Sequence, residues 1–229
     1  MSHLFIVPDW FFEFGIFLEI LFAIATFIVA VYAYKLYRFS EQRELKLFSA
    51  SFGFISLSYI IKALLVLFVI SKLQGDILII DLNNLQRISL YAVYFHVVLF
   101  MLGVVTLAYM TLKKGDCKIY SFLIAISLAA MMLGCDLAYS FTVVSSLILL
   151  YLCIYYLFEY FDNNKRTTLI IFIGFVFLLV SGAGVVFAPN YYLNFVIGHL
   201  LELASYILII SSLVLTMKRD KNGKKTNKT

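Results

Sequence analysis

Two histidines, two glutamates, a lysine and a tyrosine stand inside otherwise apolar sequence. His199, Glu202 and Tyr206 are spaced by three and four residues, which puts them on one face of a helix. Glu19, Lys62 and His96 each interrupt a different apolar stretch. A histidine and a carboxylate one turn apart can hold a proton, bind a small polar ligand or ion, or ligate a metal. All three roles need that face turned into protein or water, because such groups are costly in lipid. Lys62 is the only lysine deep in an apolar stretch. It calls for a carboxylate partner, and Glu19 and Glu202 are the candidates.

Two sharper chemistries rest on the histidines. His96 and His199 on different helices are candidates for the axial ligands of one haem b. With Glu202 they make a possible set for a divalent metal, with Glu19 or Asp136 as further oxygen ligands. One histidine pair supplies one haem only, so a second haem for electron flow across a membrane is missing. The local pattern Gly198-His199-Leu200-Leu201-Glu202 is a His-x-x-Glu, a weak signal beside HxxxH or HExxH. The plainer reading is histidines that hydrogen-bond or bind protons between helices.

The elements that must position these residues are membrane helices. The chain of 229 residues is 63% hydrophobic and 14% charged, against about half and a quarter in soluble domains. Its cysteines, Cys117, Cys135 and Cys153, lack CxxC spacing, so neither a disulfide framework nor a structural zinc site is expected. The first residues lack the basic region and cleavage site of a signal peptide. The net charge of +5 is read by position, as a topology signal, and not as a sign of nucleic-acid binding.

Crossing a bilayer takes about 20 residues. Apolar stretches place spans at about 10–34, 47–70, 86–112, 119–137, 139–160, 167–187 and 191–217, with a basic tail at 218–229. The division between the fourth and fifth spans rests on length, because 119–160 is about two crossings. Pro189 ends the sixth span, and Asp9 and Trp10 open the first as cap and interfacial anchor. Gly182 and Gly184, and Gly134 with Ala130 and Ser127, are candidate points of close helix approach. Glu159 is expected to pair with Lys165 or Arg166 near the surface, and the tail from Lys218 is expected to be disordered.

Every lysine and arginine except Lys62, Lys72 and Arg87 falls in the odd-to-even connectors or the tail. The positive-inside rule then predicts seven helices, the N-terminus outside and the C-terminus cytoplasmic. In that orientation Glu19, Lys62, His96, Asp136, His199 and Glu202 all lie in the outer half of the membrane. No lysine precedes Lys218 in the last span, which rules out a Schiff-base retinal site there.

The expectation is an all-α, multi-pass protein of the cell membrane, a seven-helix bundle spanning 1–217. No catalytic residue is assigned. The leading function is non-enzymatic binding of a small polar ligand, ion or proton in an outward-facing pocket, for sensing or transport. Its residues would be His199, Glu202, His96, Lys62, Glu19 and Tyr206, edged by tyrosines such as Tyr59, Tyr91 and Tyr94. The alternatives are a haem- or metal-carrying membrane oxidoreductase or hydrolase, and a structural or assembly subunit whose polar residues lock the helices. Expected partners are the bilayer, anionic inner-leaflet lipid at the tail, and the small ligand.

Overall fold

The computed structural model describes residues 9–74, 82–112, 116–134, 137–187 and 192–226. Among them there are seven helices and no strand: α1 Asp9–Ser40, α2 Arg43–Gln74, α3 Leu82–Thr111, α4 Cys117–Met132, α5 Leu137–Asn163, α6 Arg166–Phe187 and α7 Tyr192–Thr226. Five carry stretches long and apolar enough to cross a membrane: Gly15–Ser40, Arg43–Phe68, Leu90–Thr111, Tyr139–Asn163 and Val196–Lys218. The described parts of α4 and α6 are shorter apolar helices.

The outer surface is unlike that of a water-soluble bundle, while the core stays largely apolar with small hydroxyl residues among it. Phe27, Leu64, Phe122 and Leu147 are all more than half exposed, while Thr26, Ser51, Ser58, Ser205 and Ser212 are fully buried. Large apolar side chains on the outside suit lipid, and small polar ones inside let helices approach. The buried hydroxyls are satisfied locally. Thr26 donates to the Phe22 carbonyl at 2.6 Å, and Ser58 to that of Ile55 at 2.7 Å. Others reach a neighbouring helix. Ser56 donates to the Ala23 carbonyl at 3.0 Å and Ser49 to that of Ala30 at 2.8 Å, both from α2 to α1. Ser212 on α7 donates to Thr167 on α6 at 3.0 Å.

Six helices close into a ring in the order α1, α2, α3, α5, α6, α7, with α7 returning to α1. α4 stands outside this ring, packed on α3 and α5. Its 16 residues span about 24 Å, less than a bilayer core of about 30 Å. It starts at Asp116, whose carboxylate accepts the Lys118 N–H at 2.9 Å, and stops at Leu133. The predicted fourth span ran on to Leu137. The helix ends earlier, at Leu133, whose backbone N–H still bonds the Ala129 carbonyl.

Close approaches are found at Gly103 and Gly174. A Cβ on Gly103 would sit 2.8 Å from the Ser51 carbonyl oxygen and 2.6 Å from the Ile55 side chain. There the α2 and α3 backbones meet with no room for a methyl group. Gly174 plays a milder version on α6, where a Cβ would come 3.3 Å from the Ser205 carbonyl oxygen of α7. At Gly182 the nearest neighbour would be Ser146 Oγ at 3.7 Å, an ordinary contact. The surroundings of Gly184 lie outside the described residues, as do those of Asp9 and Trp10, and Pro189 itself.

The helices also outrun the apolar stretches that announce them. α1 continues past Tyr34 to Ser40 and α2 begins at Arg43, so the charged connector expected over Lys35–Lys46 shrinks to Glu41 and Gln42. Lys35 and Lys46 are carried on helix and lie over the rings of Tyr32 and Tyr37. Arg38 stands in the last turn of α1, where a basic residue suits the helix C-terminus, so the first charge marks the end of the apolar span and not the end of the helix. The same applies to α7, which runs to Thr226 where a disordered tail was expected from Lys218. Glu159 accepts a hydrogen bond from Asn163 Nδ2 at 2.6 Å, one turn further along α5, in place of the expected partner Lys165 or Arg166.

Candidate functional site

Four helices deliver the polar residues to one region. On α2, Tyr59 and Lys62 are three residues apart and share a face. On α7, Glu202 and Tyr206 are four apart and do the same. α1 contributes Glu19 and Phe22, and α3 contributes His96 and Phe100. Tyr59 is 4% exposed and Tyr206 fully buried.

The centre is a carboxylate held by two phenols. Tyr59 donates its hydroxyl proton to Glu202 Oε1. The Tyr206 hydroxyl lies 3.3 Å from the same oxygen and 3.1 Å from the Tyr59 hydroxyl, so its one proton serves both acceptors. Hydrogen bonds to a charged group are stronger than neutral ones, and losing a partner leaves the buried group exposed to its full desolvation cost.

Beside this triad, Lys62 Nζ stands 2.8 Å from Glu19 Oε1, with the two side chains 31% and 12% exposed. Of the two carboxylates the sequence offered, the lysine takes Glu19. Glu202 remains within electrostatic reach of both Lys62 and Glu19. A pair this sheltered gives little net stability, because desolvation offsets attraction, yet breaking it from one side is costly.

His96 joins from α3. Its ring packs against Tyr59 at 5.3 Å between centroids, against Phe100 at 5.9 Å and against Phe141 of α5 at 6.4 Å. It lies beside the Ser58 backbone and within electrostatic reach of Lys62. His199 packs on Phe22 at 5.7 Å, and Phe22 in turn packs on Tyr59 at 5.4 Å and on Tyr206 at 6.0 Å. The contact path between the two histidines thus runs through Tyr59 and Phe22. Among the described residues no three histidines, cysteines, aspartates or glutamates come together in a group that could hold a metal ion. The expected set of His96, His199 and Glu202 is therefore not gathered as metal ligands. Asp136 lies outside the described residues.

Two buried polar atoms of this cluster have no hydrogen-bond partner among the described residues: Glu19 Oε2 and His96 Nδ1. Buried polar groups are nearly always satisfied, and an exception calls for an explanation. They sit on the two helices that flank α2, on either side of the Tyr59–Lys62 face.

Tyr59 is the residue whose role the sequence understated. It was one of several tyrosines set at the edge of the pocket, and it is the link between all four helices. Its place three residues before Lys62 was the available signal. A cavity of about 200 Å³, lined by Glu44, Phe48, Thr111, Tyr155 and Glu159 among others, was not anticipated. It lies toward the α1–α2 and α5–α6 turns, at the opposite end of the bundle from Lys62.

Comparison with protein-family models, curated proteins and solved structures finds no match to this chain. The site therefore stands on its own geometry.

Proposed function

We propose that the protein crosses the cell membrane seven times, with its N-terminus outside. In this reading the cluster between α1, α2, α3 and α7 binds a small polar ligand, ion or proton, in the service of sensing or transport. Glu19, Lys62, His96, His199, Glu202 and Tyr206 are the residues expected to serve it, with Tyr59 added at its centre. The basic end of α7 lies against the anionic inner leaflet, where each lysine or arginine contributes about 1 kcal/mol.

The observation that carries this reading is the pair of buried atoms without a hydrogen-bond partner among the described residues, Glu19 Oε2 and His96 Nδ1. A purely structural lock would be selected to satisfy its buried polar groups, since each one left open costs about 1–3 kcal/mol. Unspent hydrogen-bonding capacity beside a partly exposed lysine is what a binding site keeps in reserve.

A thermal-melt screen of small ions and polar solutes on purified protein tests it. A ligand that binds the folded state raises the melting temperature. At least one solute should stabilise the wild type and leave the Glu19→Gln/Lys62→Met double variant unmoved. No response in the wild type, or the same response in both proteins, would reject the proposal.

A further inference from the structure

We infer that the cavity at the far end of the bundle from Lys62 is a second binding site, built for a small ammonium ion that carries N–H groups, either a free alkylamine or the amine headgroup of a lipid. The site is separate from the Glu19–Lys62 cluster and does not depend on the role proposed for that cluster.

Helices α2, α3, α5, α6 and α7 all border this cavity of about 200 Å³. Its inner wall is apolar and aromatic. Phe48 is 4% and Tyr156 9% exposed, and the Tyr156 ring stacks on Phe175 at 5.3 Å. Its mouth is polar, with Glu44 exposed and Glu159 half-buried. The Tyr156 hydroxyl, on a side chain more than nine-tenths buried, forms no hydrogen bond among the described residues. A buried tyrosine usually gives its O–H to a partner. Glu44 and Glu159 line the same space and lie within electrostatic reach of Tyr156. These three side chains therefore address one occupant.

Charge selects the occupant. No lysine, arginine or histidine lines the cavity among the described residues. The basic residues nearest to Glu44 in sequence are turned elsewhere. Arg43 donates to the Tyr109 hydroxyl at 2.9 Å, and Lys46 lies over the Tyr37 ring. Glu159 accepts only from Asn163 Nδ2, on one oxygen. Glu44 stands in the first turn of α2, where the helix dipole favours a carboxylate, and no hydrogen bond occupies its oxygens among the described residues. The one ion pair among those residues is Lys62 with Glu19, so both carboxylates at the cavity lack a cation. Carboxylates accept N–H donors and aromatic faces attract cations. An ammonium group on a short apolar stem satisfies both walls. A metal ion fits less well, since the described residues hold no group of three histidines, cysteines or carboxylates for one.

Calorimetric titration in phosphatidylcholine nanodiscs tests this, with butylammonium chloride against potassium chloride and sodium butyrate. The phosphatidylcholine headgroup carries no N–H and leaves the site open. Butylammonium should saturate at one ion per chain, and the two control salts should not. Tyr156→Phe keeps the ring and loses no hydrogen bond within the protein, so it should melt as the wild type does yet bind several-fold more weakly. Glu44→Gln/Glu159→Gln should weaken binding about tenfold or more, because it removes both charged acceptors. In nanodiscs containing phosphatidylethanolamine, an unchanged affinity for butylammonium assigns the free amine as occupant, and a weakened one assigns the lipid amine. No saturable binding of butylammonium, equal binding of potassium or butyrate, or undiminished affinity in both variants would overturn the inference. So would binding lost in Glu19→Gln/Lys62→Met and kept in Glu44→Gln/Glu159→Gln, which would place the amine at the other cluster.

Discussion

Tyr59 on α2 and Glu202 on α7 stand 143 positions apart in the chain and are joined by one hydrogen bond. The backbones of their helices stay apart, with α1 between them in the ring, and only side chains meet, as Phe52 and Tyr206 also do at 6.4 Å. The bond therefore crosses the interior of the bundle and links two helices that the backbone packing leaves apart.

That link should be energetically visible. Tyr59→Phe removes the donor while keeping the ring, and should lower stability by about 1–3 kcal/mol, the cost of leaving a buried polar group without its partner. Combining it with Glu202→Gln should show a coupling of about 0.5–3 kcal/mol in a double-mutant cycle followed by denaturation in detergent. Strictly additive losses would mean that the two side chains do not share a bond.

Lys62 and Glu19 make a separate, asymmetric case. Glu19→Gln leaves the lysine without its 2.8 Å partner and should destabilise by a few kcal/mol. Adding Lys62→Met should restore much of the loss, because replacing a whole sheltered pair by apolar groups is often close to neutral. Melting temperatures of the two single variants and the double variant test this. A double variant weaker than either single one would contradict it.

Glycine substitutions separate helix contact from helix propensity. Gly103→Ala places a methyl group 2.8 Å from the Ser51 carbonyl oxygen, a backbone atom that cannot swing away, and should cost about 1–3 kcal/mol by overpacking. Gly182→Ala meets only Ser146 Oγ at 3.7 Å. It should be neutral or stabilising by up to about 1 kcal/mol, the propensity gain of alanine in a helix. Equal effects at the two sites would show that α2 and α3 do not approach as closely as described.

The apolar stretches told most of the fold. Seven of them became seven helices, and the i, i+3, i+4 spacing placed Glu202 and Tyr206 on one inward face. What could not be read was which helices become neighbours. Apolar patterning is nearly uniform around a membrane helix, so it marks the span but not the partner. The ring order, the exclusion of α4 from it, the choice of Glu19 over Glu202 by Lys62 and the tight seam at Gly103 all depend on that missing information. Tyr59 was missed for a related reason. In a chain with 16 tyrosines, many of them suited to the membrane interface, the one that points inward is marked only by its place three residues before Lys62.

The proposed orientation gives a fourth prediction. Single cysteines introduced near His3 and near Asn222 should label differently with a membrane-impermeant thiol reagent on intact cells, in a background where Cys117, Cys135 and Cys153 are replaced. The first should react and the second should not, as the lysine and arginine asymmetry requires. Labelling of the second alone would invert the bundle and place the charged cluster in the inner half of the membrane.

The central claim is that the Glu19–Lys62–His96–Glu202 cluster holds a ligand. Equilibrium binding in nanodiscs, using whichever ion or solute the thermal screen selects, tests it most directly. Wild type should saturate at one ligand per chain. His96→Phe and the Glu19→Gln/Lys62→Met variant, both shown to be folded by their melts, should each lose at least tenfold in affinity, equivalent to about 1.4 kcal/mol. Undiminished binding in both variants, or no saturable binding in the wild type, would contradict the account.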